Sequence, residues 1–157
     1  MGMVLRFMPE IPFFPKDKRD LVAFLEELGA PRLPGLLGIE LLELGEGTAR
    51  MRCVVEHKHL ASNGYLHAAS VVALADTTAG YGCVANLPEG GIGFTTIELK
   101  SNHVGTMLEG ALVADGALAH AGRTTQVWDV VVSAEETGMK LALYRCTQLI
   151  LYPRPSP

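Results

Sequence analysis

A chain of 157 residues with 48% hydrophobic and 19% charged side chains carries enough apolar material for a core and an interface, which excludes a disordered chain. Its net charge of -4 and the absence of a Lys/Arg run exclude a general nucleic-acid binder and a polybasic membrane surface. Three widely spaced cysteines, Cys53, Cys83 and Cys146, match neither a zinc pattern nor a disulfide framework and read as buried thiols in a reducing compartment.

In chain order, residues 1 to 15, rich in Met, Phe and Pro, read as an extended arm lying across a neighbouring surface. No secretion signal is evident in them, and no uncharged apolar run reaches about 20 residues, so the expected compartment is the cytoplasm, with no membrane partner. From Lys16 to Leu28 the spacing of Leu21, Val22, Leu25 and Leu28 predicts a short amphipathic helix stopped by Gly29 and Pro31.

Two strands follow, over 37–44 and 48–57, joined by Gly-Glu-Gly at 45–47. Alternation sets Ala49, Met51, Cys53 and Val55 against Arg50, Arg52, Val54 and Glu56, as a sheet with one inward face requires. The stretch from His59 to Gly82 then turns at Asn63-Gly64 and runs into an Ala-, Val- and Leu-rich segment without proline, from about His67, which predicts a long buried helix. Four further strands are predicted over 92–104, 109–121, 124–134 and 140–152, with turns at Gly105-Thr106, Gly122 and Thr137-Gly138. This order implies one α+β domain over residues 1–157, an antiparallel sheet curled round a single central helix, with residues 1–35 as arm and short helix.

Between Leu60 and Pro88 the single side chain charged near neutrality is Asp76, set among Ala73, Leu74, Ala75 and Ala79 with no cation within a helical turn. A carboxylate with so little polar cover is costly unless it is paired or used, which marks it as a candidate acid. His67 and Ala68 begin the same helix, where free N–H groups and the dipole favour an oxyanion. Asp76 lies roughly 12 Å along the axis from Ala68 at about 1.5 Å per residue, so one chain cannot bring both to one carbonyl carbon. Two antiparallel copies of the helix can, and the expectation is an obligate homodimer with two shared sites. His57 and His59 read as sheet edge and loop without metal geometry, and Trp128 as core or interface.

The segment His-Leu-Ala-Ser-Asn-Gly-Tyr-Leu-His-Ala-Ala-Ser-Val-Val-Ala-Leu-Ala-Asp-Thr-Thr-Ala-Gly-Tyr-Gly-Cys, followed by Phe-Thr-Thr-Ile-Glu-Leu-Lys-Ser-Asn-His, resembles the hotdog-fold acyl-CoA thioesterases of the phenylacetate-pathway type. The resemblance covers about residues 36–151 and implies a hotdog fold of five to six strands round one helix. It also implies thioester hydrolysis with no metal or redox cofactor, coenzyme A entering as part of the substrate. By the same resemblance Asp76 is the acid, Ala68 offers the N–H that polarises the thioester oxygen, His67 orients the site and Thr96 assists the acid. The family's Asn or Gln six residues before the histidine is replaced by Ala61; Asn63 either takes over its role or forms the turn. His120, Gly122 and Arg123 resemble a turn near the coenzyme A phosphates, Asn102 belongs to an Asn-His-Val run in the same set, and Gly105 stands where an Arg often follows. Tetramers built as dimers of dimers are common in the family.

The function these residues imply is hydrolysis of an aromatic or aliphatic acyl-CoA, with Asp76 as nucleophile or as general base. The alternative is a non-catalytic acyl-CoA or fatty-acyl binding hotdog protein, suggested by Ala61 and by Ala68 in the place of glycine.

Overall fold

The computed structural model describes residues 11 to 153, so most of the predicted N-terminal arm lies outside the described residues. Within the described part of the arm, Phe14 packs edge-on against Phe24 with ring centroids 6.0 Å apart. Helix α1 (Lys18–Gly29) starts two residues later than the apolar spacing suggests, because Asp17 caps it: Oδ1 accepts the N–H of Arg19 at 2.9 Å and of Asp20 at 3.2 Å. Its buried Leu21 and Leu25 join the core. A one-turn helix, α2 (Leu33–Leu36), was not expected from the pattern; Pro34 in its first turn gives up no helical hydrogen bond.

The sheet begins with a hairpin of β1 (Ile39–Leu44) and β2 (Thr48–Val54), turned at Gly47 with φ of +68°. Ala49, Met51 and Cys53 are buried on one face while Thr48, Arg50 and Val54 are exposed on the other, as the alternation requires. The 48–57 strand ends at Val54 because the chain turns into a short 3₁₀ segment, His57–His59, before α3 (Ala68–Ala85). Strands β3 (Gly93–His103), β4 (Ala111–Ala121), β5 (Thr125–Ala134) and β6 (Lys140–Leu151) complete one six-stranded sheet in the order β1-β2-β4-β5-β6-β3, antiparallel throughout.

All six strands contact α3, so the helix is the middle of the core rather than one side of a layer. That explains its composition: Ala, Val, Leu, Gly and Cys occupy every face, with Leu74, Ala75, Ala79 and Cys83 fully buried. Gly80 and Gly82 let aromatic rings reach the helix backbone, Phe94 at the first and Trp128 at the second. The far end of α3 is tied to the sheet by Asn86, whose Oδ1 accepts the N–H of Gly47 at 2.8 Å and whose carbonyl accepts Gln126 Nε2 at 2.6 Å. Gln126 in turn accepts the buried Trp128 indole N–H at 2.9 Å, leaving neither polar group orphaned.

Because the last strand, β6, pairs with β3, the sheet is left with two edges, β1 and β3. The register of β3 on β6 carries a bulge at Ile97, between the pairs Thr96–Gln148 and Glu98–Thr147. Thr96 therefore faces α3 while Glu98 faces outward, which keeps a second carboxylate away from Asp76.

Candidate active site

Asp76 sits a little over two turns into α3 and points toward the β3 side of the sheet. The expectation of little polar cover is corrected: two hydroxyls reach the carboxylate, and both reach the same oxygen. Tyr144 on β6 donates to Oδ1 at 2.7 Å, and the Thr96 hydroxyl lies 3.3 Å from it. Thr96 has one proton and a nearer acceptor, Gln148 Oε1 at 3.0 Å, so the phenol is the stronger hold. Oδ2 receives no hydrogen bond from the described residues and is not sealed off as a buried atom. Burial, then its bond to Asp76, pushes the Tyr144 phenol far above its ordinary value, so it stays protonated and donates to Asp76 Oδ1.

Two members of this cluster, Tyr144 and Gln148, were absent from the sequence-derived set. Both lie on the inward face of β6, alternating with the buried Ala142, Cys146 and Ile150, and Gln148 is fully buried. A phenol and an amide in an otherwise apolar inward stripe were the available signal.

The start of α3 is built from backbone outward. His67, extended at φ -71° and ψ 129°, caps the helix through Nδ1, which accepts the N–H of Ala69 at 2.9 Å. The N–H of Ala68 has no acceptor among the described residues, and His67, Ala68 and Ala69 are all exposed. One carbonyl, that of His59, fixes this end by accepting the N–H of His67 at 2.9 Å and the hydroxyl of Ser70 at 3.0 Å. His59 itself is 2% exposed rather than the open loop residue expected. Its Nδ1 accepts the N–H of Glu56 at 2.8 Å, which leaves Nε2 as the protonated nitrogen, donating to the carbonyl of Leu37 at 2.8 Å. Asn63 serves the turn: its Oδ1 accepts the N–H of Tyr65 at 3.2 Å. Ala68 and Asp76 remain two turns apart on one helix, as the spacing requires.

His120, Gly122 and Arg123 lie together at the β4–β5 turn. Gly122 N–H bonds to the carbonyl of Thr125 at 2.8 Å, and Tyr152 both donates to the Arg123 carbonyl and lies 6.0 Å beneath its guanidinium. This turn is on the side of α3's C-terminal end, three residues before Gln126, which binds Asn86. Asn102 does not join it. It is exposed on the outer face of β3, paired with Leu143, whereas the turn meets β6 at Leu149, about 20 Å further along the strand at 3.3–3.4 Å per residue. Among the described residues no group of three or more His, Cys, Asp or Glu side chains is placed to hold a metal.

Residues 63–140 match the thioesterase superfamily. The chain is 32% identical to the 1,4-dihydroxy-2-naphthoyl-CoA hydrolase of Listeria monocytogenes, over 71% of its own length and 89% of that protein's. Among solved structures, a Haemophilus influenzae thioesterase superposes with a TM-score of 0.77 at 26% identity, covering 83% of this chain and 90% of that one. The Escherichia coli PaaI protein of the phenylacetic acid degradation operon shares the fold, with a TM-score of 0.73 at 22% identity over 82% and 89% of the two chains. A six-stranded antiparallel sheet round one long helix that carries a held acid and a free N-terminal N–H, with relatives of this kind, makes the chain a hotdog-fold member of the thioesterase superfamily and a thioester hydrolase.

Proposed function

We propose that the protein is a homodimeric hydrolase of aromatic acyl-CoA thioesters, with two active sites that each combine Asp76 of one subunit with the Ala68 N–H of the other. The observation that carries this reading is the state of Asp76: one carboxylate oxygen held by a neutral phenol, the other without a hydrogen bond from the described residues, in an otherwise uncharged helix. A pure binding module has no use for such an acid. The substrate class is supported by the 32% identity to a hydrolase of an aromatic acyl-CoA.

The pairing of subunits is supported by the β3 edge. Eleven residues long, it leaves one side unpaired and exposes Ile97 at 55% and Leu99 at 45%, a template for a second strand. Ser101, on the inward face opposite Tyr144, has a buried hydroxyl with no hydrogen-bond partner among the described residues, as expected of a group completed by another copy. Antiparallel β3–β3 pairing about a two-fold axis runs the two α3 helices in opposite directions. Each acid then faces the start of its neighbour's helix, and the His120-Gly122-Arg123 turn, on the C-terminal side of α3, comes to the same end. Exposed Leu143 and Leu149 on the outer sheet face offer the second contact of a dimer of dimers.

In such a site the thioester oxygen accepts the Ala68 N–H at the positive end of α3. That donor is worth about 10²- to 10³-fold as charge develops on the oxygen. Asp76 Oδ2 either attacks the carbonyl carbon, giving an acyl anhydride that water cleaves, or removes a proton from the attacking water. Either way the C–S bond breaks, coenzyme A leaves as thiolate, and water supplies the acid's new oxygen. Arg123 and His120 take the phosphates.

Subunit mixing tests the shared site. Asp76→Asn and Ala68→Pro homodimers are each expected to lose nearly all activity on benzoyl-CoA and naphthoyl-CoA. After unfolding and refolding together, half the dimers are hybrids with one intact site of two, so about a quarter of wild-type activity returns. No recovery in hybrids that demonstrably form would sink the shared site, and full activity of Asp76→Asn would sink the acid. Faster turnover of straight aliphatic acyl-CoAs than of either aromatic substrate would sink the aromatic assignment.

A further inference from the structure

We infer that Tyr144 is a positioning residue for the acid, fixing Asp76 through Oδ1 so that Oδ2 is the oxygen that reacts; this rests on Asp76 being the catalytic carboxylate. Three observations carry it. The phenol is 3% exposed and meets the carboxylate at 2.7 Å, shorter than the 3.3 Å approach of Thr96, whose proton has a nearer acceptor in Gln148. Both contacts fall on Oδ1 and none from the described residues on Oδ2, so the two oxygens are not equivalent. A free aspartate rotates about χ2 through a broad, two-fold well that exchanges its oxygens, and a short bond to one of them removes that freedom.

The scaffold holds Tyr144 rigidly. Its ring sits mid-strand, paired with Val130 on one side and Ser101 on the other, so the phenol cannot follow Asp76 if the acid turns. The hydroxyl meets neither the start of α3 nor the β4–β5 turn, which places Tyr144 behind the acid rather than against the substrate. Phenylalanine keeps the packing and deletes only the bond. Loss of orientation lowers the rate of the chemical step and leaves binding alone, the signature of a positioning role.

The experiment compares Tyr144→Phe, Thr96→Val and Asp76→Asn on benzoyl-CoA, with melting temperature and dimer state recorded for each. The expected result is a kcat for Tyr144→Phe lowered about 10- to 100-fold with KM within about 3-fold of wild type, and a smaller kcat loss for Thr96→Val. Wild-type kcat in Tyr144→Phe, or a loss that lies wholly in KM, overturns the inference while leaving Asp76 as the acid. An active Asp76→Asn instead overturns the underlying reading. Should Tyr144→Phe not fold, labelled wild-type protein decides: a slowly exchanging tyrosine hydroxyl proton with a nuclear Overhauser contact to the Asp76 methylene supports the role, and its absence overturns it.

Discussion

Gly82 lies against the Trp128 ring so closely that a methyl group on its Cα would stand 2.6 Å from Cη2 and 2.8 Å from Cζ3. Alanine in an exposed helix would gain about 1 kcal/mol over glycine. Here the ring is fully buried and its N–H is bound to Gln126, so it cannot retreat, and overpacking of about 1–3 kcal/mol dominates. Gly82→Ala is expected to lower the melting temperature by several degrees. A stabilised variant would show that the indole is free to move.

Ala68 offers an unusually clean deletion of an oxyanion donor. It is the first residue of α3, a position proline favours, and His67 before it already has the extended backbone that a following proline demands. Ala68→Pro therefore removes the N–H with little strain. Thermal stability is expected to stay near wild type while kcat falls about 10²- to 10³-fold. An active, well-folded Ala68→Pro protein would rule out this N–H as the donor.

The β3 edge predicts how assembly and activity are linked. An arginine at Leu99, which pairs with Cys146 on the inward face of the sheet, places a charge in the middle of the proposed two-fold seam. Leu99→Arg is expected to run as a monomer in analytical ultracentrifugation and to lose activity together with the dimer. A monomer that retains the wild-type rate per chain would overturn the shared site.

Burial pushes the thiols of Cys53 and Cys146 up to about 11 and that of Cys83 up to about 12. At pH 8 native protein should react very slowly with a thiol reagent, and three thiols should appear on denaturation. As pH rises above the ordinary thiol value of about 9, the unfolded chain loses these protons before the folded one. It then holds fewer protons than the native state, so stability declines from about pH 9 up to about 12, where the last of the folded thiols titrates, and is unaffected by these groups below that window. Rapid labelling of any of the three in the native state would contradict their burial.

Arg123 is anchored by its backbone and lies over the Tyr152 ring, and its side chain is exposed. If it meets coenzyme A phosphates, Arg123→Gln raises KM about 10-fold at low salt with kcat unchanged, and the difference shrinks as salt screens it. An unchanged KM at low salt would remove Arg123 from the binding set.

Much of this protein is written in short-range pattern. Alternation at Ala49, Met51 and Cys53 assigns the inward face of β2, Gly47 turns the hairpin, His67 caps the central helix, and Asp76 stands out as a lone acid in an apolar run. Each depends on neighbours a few residues away, which is the range over which caps, turns and periodicity act. What holds the acid lies beyond that range. Tyr144 is 68 residues from Asp76 and Thr96 is 20, and they meet only because β3 and β6 pair in one register, with a bulge at Ile97, beneath α3. A slip of one residue along β6 would send Tyr144 to the outer face and bring Arg145 inward. The burial of His59 has the same origin, since its partner carbonyl on Leu37 is 22 residues back in the chain. Local sequence therefore determined the elements and nominated the acid, while the register of distant strands decided which side chains hold that acid and which of its oxygens is left free.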